Sequence, residues 1–233
     1  MITLAWDTSG PSQGVALAID GRVSSEVFES KTSSHSETLL PALKKVLEES
    51  ALELRAVDRF ALTVGPGSFT GLRIGISVLK AFCQVADRPV APVSSLEALA
   101  EPIAREDIWI VPCLDARLRQ VFTATYRSSR GTLDVKAPER VVPVDVFAEE
   151  LRGLPGEKWL VGSGALAHRE CWKEISGVVL PEEERRHLIS AAAVLRVGER
   201  MFREGRAVHG RELEPRYLRA SEAENRRRSL QEK

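Results

Sequence analysis

Gly65-Pro66-Gly67-Ser68-Phe69-Thr70-Gly71-Leu72-Arg73-Ile74-Gly75 is the stretch on which the reading of this 233-residue chain turns. The apolar run Arg59 to Val64 leads into it, and an apolar run from Leu72 to Ala86 follows. Strand, glycine loop, helix is the building unit of an α/β fold. The loop misses the Walker pattern, because no Lys follows its last glycine, and Ser68 lacks the flanking glycines of a nucleophile elbow. Thr70 stands where a dinucleotide fingerprint needs its third glycine. Two readings stay open: amides at a helix N-terminus that meet an anion, or a tight turn that packs the helix closely through Gly71 and Gly75.

The helix after the loop carries too much apolar surface for an ordinary amphipathic element. Arg73, Ser77, Lys80 and Gln84 form one narrow polar stripe, and Leu72, Ile74, Ile76, Val78, Leu79, Phe82 and Val85 fill the other sides. Such a helix either lies deep in the core or offers a face to a second protein.

Upstream, Thr3 to Asp7, Gly14 to Ile19 and Val23 to Phe28 read as three consecutive antiparallel strands, with Asp20-Gly21 as a two-residue hairpin. Leu39, Leu40, Leu43, Val46 and Leu47 form one stripe of a helix. Ser34 and Glu37 have capping-box spacing, whereas Pro41 argues for a later start or a bend. Downstream, Pro89 to Val93 is a strand, and Ser94 with Glu97 caps a helix ending near Pro102. The pattern then restarts. Trp109 to Leu114 is a strand closing at Asp115, with Gln120 to Tyr126 as hairpin partner. Helices are expected near Val144 to Leu151 and Leu166 to Ile175, with a strand at Trp159 to Gly162 between them, and a last one capped by Ser190 and stopped by Gly205. Strand-then-Asp occurs at Asp7 and Asp115, and strand, glycine loop, helix occurs at Gly65–Gly71 and Gly162–Gly164. This duplication predicts two α/β lobes facing a cleft, over residues 1–104 and 105–233.

Asp7-Thr8-Ser9 at a strand end can hold a hydrated magnesium ion or cup a phosphate, or it can be a plain Asx turn. With Gly65, Gly67, Ser68 and Asp115 it makes the candidate nucleotide or phosphate contact. No catalytic residue and no metal site are expected. Neither Thr38 nor Leu39 can be a second ligand for His35, and no serine or cysteine has a sequence-evident base. Cys83, Cys113 and Cys171 lie far apart and fit reduced thiols in a cytoplasmic protein. The first residues enter a strand pattern with no leader signature, and no apolar run is long enough to span a bilayer. Basic and acidic residues balance at 33 each. Only the tail, with Arg216, Arg219, Arg226, Arg227 and Arg228, offers a basic face, so strong grip on tRNA by this chain alone is not expected.

These motifs, together with His35-Ser36-Glu37, Leu39-Leu40-Pro41, Ser94 to Ala100, Asp115-Ala116-Arg117, Gly162 to Ala165 and Pro215 to Arg219, resemble the TsaB family over nearly the whole chain in order. The resemblance implies the two-lobed actin-like ATPase fold, each lobe a mixed sheet flanked by helices. It also implies a non-catalytic subunit that activates its paralogue TsaD in making threonylcarbamoyladenosine at position 37 of tRNAs reading ANN codons. It implies TsaD as heterodimer partner, a TsaE-type ATPase in the larger complex, the synthase TsaC in the pathway, tRNA only indirectly, and a homodimer when alone. TsaD carries two metal-binding histidines on one helix, where only His35 stands here. No cofactor is implied for this chain, with ATP or ADP and magnesium at the joint with the partner. The family's partner surface lies on the first two helices. Carried over, it falls on His35, Glu37, Leu39, Leu40, Leu43, Leu72, Arg73, Ile76, Leu79 and Lys80. Charging Ile76 or Leu72 is then expected to break docking and spare the fold. Arg119 and Gln120 depart from the Gly and Glu common in relatives. The rival functions are an autonomous ATPase or kinase, testable by calorimetry with ATP and magnesium, and a glycoprotease-like peptidase.

Overall fold

The computed structural model describes residues 1–31, 34–104, 107–129 and 131–219. In chain order, β1 (Ile2–Asp7), β2 (Gln13–Ile19) and β3 (Arg22–Glu29) precede α1 (His35–Glu49). Next come β4 (Arg59–Gly65), α2 (Phe69–Val85), β5 (Pro89–Ser94) and α3 (Ser95–Ala100). The second half holds β6 (Trp109–Asp115), β7 (Gln120–Ser129), β8 (Thr132–Pro143) and α4 (Val144–Gly153). It continues with β9 (Lys158–Val161), α5 (Ser163–Ala167), α6 (Arg169–Trp172), β10 (Val178–Val179), α7 (Ala191–Arg203) and β11 (Val208–His209).

Two sheets form, and they share a topology. The first runs β3-β2-β1-β4-β5, with β11 added beyond β5, and the second runs β8-β7-β6-β9-β10. In each, a three-stranded antiparallel meander is extended by two parallel strands. The duplication that two strand-end aspartates suggest is therefore present strand for strand. Asp20 (φ 51°) and Gly21 (φ 76°) make the primed hairpin turn between β2 and β3.

The strands of the first sheet explain how its helices are sorted. Along β1 and β4 the large residues Leu4, Trp6, Phe60, Leu62 and Val64 share one face with Leu39, Leu43, Ile76 and Leu79 of α1 and α2. The intervening Ala5 and Ala61 join Ala16, Ala18 and Ala91 in packing against α7. Period-two alternation thus puts bulk towards one helical layer and small side chains towards the other, so α7 can lie close. Arg59 of β4 and Glu199 of α7 form a half-shielded ion pair at 2.6 Å that also takes in the Thr3 hydroxyl. Hence α7 packs on the first sheet and β11 pairs with β5, so these late elements stand with the first lobe and not, as a division into 1–104 and 105–233 expects, with the second. A third cluster, with Phe147, Leu160 and Trp172, fills the space between the second sheet and α4 to α6.

Several boundaries differ from the sequence expectation. α2 starts at Phe69, three residues before Leu72, because the Ser68 hydroxyl accepts from the Gly71 amide and caps it there. α1 starts at His35 and runs through Pro41, which settles the open question of its start. The helix expected from Leu166 to Ile175 is two short helices broken at His168. β8 went unexpected, since it is a half-exposed edge strand whose Asp134, Lys136, Glu139 and Arg140 hide any apolar alternation. Ser94 and Ser190 cap α3 and α7 as expected, accepting from Leu96 and Glu97 and from Ala193. Among the described residues no helix is long and apolar enough to cross a membrane.

Candidate functional site: a cleft between the lobes and a groove beside it

Both aspartate-bearing strand ends open on one cleft of about 780 Å³. Asp7, Ser9, Gly67 and Ser68 line it from the first lobe, and Asp115, Arg117, Ser163 and His187 line it from the second. Five of the seven candidate contacts meet there. Thr8 and Gly65 do not: the Thr8 hydroxyl turns away and donates to the Gly71 carbonyl at 2.8 Å.

The glycine loop is explained by that junction. A Cβ on Gly71 would lie 2.0 Å from the Thr8 carbonyl oxygen, and one on Gly67 would lie 2.2 Å from that of Ser9. Close packing of α2 against the end of β1 is what these glycines permit, so the tight-packing reading holds for Gly67 and Gly71, while Gly67 and Ser68 also line the cleft.

Asp7 is fully buried. Its Oδ1 accepts from the Ser9 amide (3.0 Å), the Ser9 hydroxyl (2.6 Å) and the Thr63 hydroxyl (2.6 Å), while Oδ2 has no partner. Burial dominates and pushes its pKa above the usual carboxylate value, against the three hydrogen bonds. The folded state therefore holds this proton more tightly than the unfolded chain does. The contribution favours the fold below the unfolded value of about 3.9 and is lost as pH rises through the higher folded value. Asp7→Asn keeps the Oδ1 acceptor and removes the buried charge. It should stabilise the chain by about 1 to 3 kcal/mol at pH 7 and by much less near pH 4, measured by urea unfolding at both values. An equal gain at both values would contradict this account.

Asp115 is more open and accepts from the Arg117 amide at 2.9 Å, and its own amide donates to the Ser163 hydroxyl at 3.1 Å. A magnesium-bound nucleotide needs one or two reachable carboxylates. Asp115 is reachable, whereas Asp7 has one oxygen filled by three donors and the other shielded. That leaves Asp115 as the one reachable carboxylate of the pair. Among the described residues no three His, Cys, Asp or Glu side chains group as a metal centre. His187 is held through both nitrogens, by the Gly162 amide (3.1 Å) and the Pro181 carbonyl (2.8 Å). His35 faces the Gly10 carbonyl (2.9 Å) and Gln13 (3.3 Å). Neither ring is positioned to activate a serine. Cys83 and Cys113 are buried and Cys171 half-buried, all three free, with burial raising the Cys83 and Cys113 thiol pKa values.

A groove of about 480 Å³ runs between α1 and α2, lined among others by His35, Leu40, Phe69, Arg73, Ile74, Ser77 and Val78. It corrects the face assigned to the partner surface. Leu39, Leu43, Leu72, Ile76 and Leu79 are at most 3% exposed and belong to this chain's own core. A charge at Ile76 or Leu72 would therefore break the fold, contrary to the expectation that it would be spared. Leu40, at 52% exposed, and Glu37 do face outward. Lys80 is paired with Glu214 at 2.5 Å, and Arg73 lies over the Phe69 ring at 3.9 Å. Ile74, Ser77 and Val78 were missed. They lie on the outward side of α2, which the polar stripe of Arg73, Ser77 and Gln84 marks in the sequence, with Ile74 and Val78 flanking it.

Known proteins resemble this chain over most of its length. The family model described as "TsaD: tRNA N6-adenosine threonylcarbamoyltransferase" matches residues 22–225. The tRNA threonylcarbamoyladenosine biosynthesis protein TsaB of Escherichia coli (strain K12) is 34% identical over 222 residues, covering 94% of this chain and 95% of its own. The chain belongs to the TsaB family. YeaZ from Pseudomonas aeruginosa superposes with a TM-score of 0.79 at 28% identity, over 93% of this chain and 100% of that one. A second Pseudomonas aeruginosa structure, described as an uncharacterized protein with similarity to peptidase YEAZ, gives 0.78 at 28% identity over 94% and 99%. The fold is the actin-like one, with its two mixed sheets. The tail residues Arg226, Arg227 and Arg228 lie outside the described residues. Arg216 and Arg219 reach across the cleft to Glu139 and Gln120.

Proposed function

We propose that this chain takes part in threonylcarbamoyladenosine formation on tRNA as a non-catalytic subunit, docking on a TsaD-type partner through the groove between α1 and α2. One observation carries the proposal: an apolar groove between α1 and α2 whose rim residue Leu40 is half exposed. The family supports the choice of partner. The TsaD description matches residues 22–225, which include both helices, so a partner of that kind brings an equivalent pair. Two such pairs make a four-helix contact related by a pseudo-twofold, a geometry in which similar surfaces meet themselves. An interface of about 1,200 to 2,000 Å² is the ordinary size.

The peptidase reading is the weaker one: both nitrogens of His187 and His35 are engaged, His168 faces Asp115 at 3.9 Å and is not among the residues that line the cleft, and no metal cluster exists among the described residues. Autonomous ATP turnover finds little support in Asp7, whose Oδ1 is taken by three donors and whose Oδ2 is buried. We assign any adenine nucleotide to the joint with the partner, alongside a TsaE-type ATPase, and tRNA to the partner. The test is sedimentation of the purified chain with a TsaD-type protein. A one-to-one heterodimer that forms at the expense of any homodimer is the expected result. Sedimentation of the two as separate species at micromolar concentration would overturn the proposal.

A further inference from the structure

Leu213 is the last residue of the described chain that is anchored in the core, and residues 214–219 then cross the mouth of the cleft. On the first lobe the Arg216 amide donates to the Val64 carbonyl at 2.7 Å, and Lys80 holds Glu214. Tyr217 stacks on Phe69 with ring centroids 4.9 Å apart, and its hydroxyl accepts from Arg73 Nε at 3.1 Å. On the second lobe Arg216 pairs with Glu139 of β8 at 3.0 Å, and Arg219 donates to Gln120 of β7 at 3.2 Å. The segment is therefore a strap tied to both lobes. Apart from one backbone bond it is held by side chains that are exposed or only partly buried, which places it among the less stable elements of a fold.

Phe69 and Arg73 give the strap a second meaning. Phe69 lines both the cleft and the α1–α2 groove, and Arg73 lines the groove while donating to Tyr217. The groove wall and the strap thus share two side chains. We propose that the strap couples the groove to the cleft: strapped, it fixes Phe69 and Arg73 for the docking partner, and the docked partner in turn holds the strap and the two lobes closed. This rests on the groove reading above. Coupling of two equilibria is reciprocal, so loosening the strap must weaken docking by the factor by which docking tightens the strap.

Glu139 makes the test clean, because it touches the strap from the opposite lobe and does not line the groove. Affinity of the full chain for the TsaD-type partner is measured for wild type, Tyr217→Ala, Glu139→Gln and the groove variant Ser77→Arg, with hydrogen exchange of the Arg216 amide followed with and without partner. Tyr217→Ala and Glu139→Gln should each weaken binding about fivefold or more. The Arg216 amide should exchange more slowly in the complex. If Ser77→Arg abolishes binding while Glu139→Gln binds as wild type does, the groove reading stands and the coupling is wrong, even if Tyr217→Ala binds weakly by direct contact. Unchanged exchange at Arg216 on complex formation contradicts the coupling as well. If Ser77→Arg binds as tightly as wild type, the groove reading fails and the coupling falls with it.

Discussion

Leu40→Glu and Ser77→Arg should each weaken binding to a TsaD-type partner by about a hundredfold or more, and the chain should still melt at the wild-type temperature. Both residues border the groove from opposite helices, and both are exposed in the free chain. A carboxylate or guanidinium there costs the monomer almost nothing, because water solvates it. In a docked four-helix contact the same charge is buried without a partner, and that penalty runs to several kcal/mol. Leu72→Arg serves as the contrast. Leu72 is 0% exposed in the first lobe, so the charge is trapped in the folded monomer and the variant should not fold. Calorimetric titration for the first pair and thermal melting for all three give the readings. Equal binding by the two exposed-site variants would move the docking surface elsewhere, whatever Leu72→Arg does.

Gly71→Ala should weaken the chain by itself, in the folded monomer. In an open helix this change would stabilise by roughly 0.5 to 1 kcal/mol, because alanine is the better helix former. Here the new methyl group would stand 2.0 Å from the Thr8 carbonyl oxygen and 3.2 Å from its carbon. Those are backbone atoms at the end of a central strand, with no flexible side chain to move aside. α2 must shift away from β1, loosening the contacts of Ile76 and Leu79 behind it. A loss of about 3 kcal/mol or more is expected, at the upper end of overpacking effects. For a chain of this size that corresponds to a fall in melting temperature of about 6 to 12 °C. Gly153→Ala is the internal control, since nothing lies within 4 Å of a Cβ there. It should change stability by less than about 1 kcal/mol. If Gly71→Ala were as stable as wild type, the backbone contact assigned to the glycine loop would be wrong.

The fold was legible where local chemistry and burial agree. β1 to β3 announce themselves through apolar runs and a primed hairpin, and the Asp7 and Asp115 strand ends betray the duplicated sheets. β8 stayed hidden because an edge strand facing water needs no apolar alternation, and its Glu139 matters only through a contact 77 residues away with Arg216. The cleft was partly legible. Aspartates and glycine loops can be seen in the sequence, but the strap that crosses them is a tertiary event with no local pattern. The groove was half legible. On α2 the stripe of Arg73, Ser77 and Gln84 marks the outward side, but nothing in the pattern tells that Ile74 and Val78 beside it line the groove. Leu72, Ile76 and Leu79 are taken inward, and Ile74, Ser77 and Val78 are left at the groove.

Tyr217, stacked on Phe69, and Glu139, paired with Arg216, place the C-terminal segment in contact with both the cleft and the helices that frame the groove. Groove and cleft variants therefore have to be compared in one reaction, so that a docking role and a turnover role give opposite patterns. In a reconstituted system with the TsaD-type partner, a TsaE-type ATPase, the synthase and tRNA, threonylcarbamoyladenosine formation is followed for wild type, the Asp7→Asn/Asp115→Asn cleft variant and Leu40→Glu/Ser77→Arg. Near wild-type modification with the cleft variant, and loss of modification with the groove variant, is the predicted pattern. Modification that survives the groove variant and disappears with the cleft variant would contradict the account.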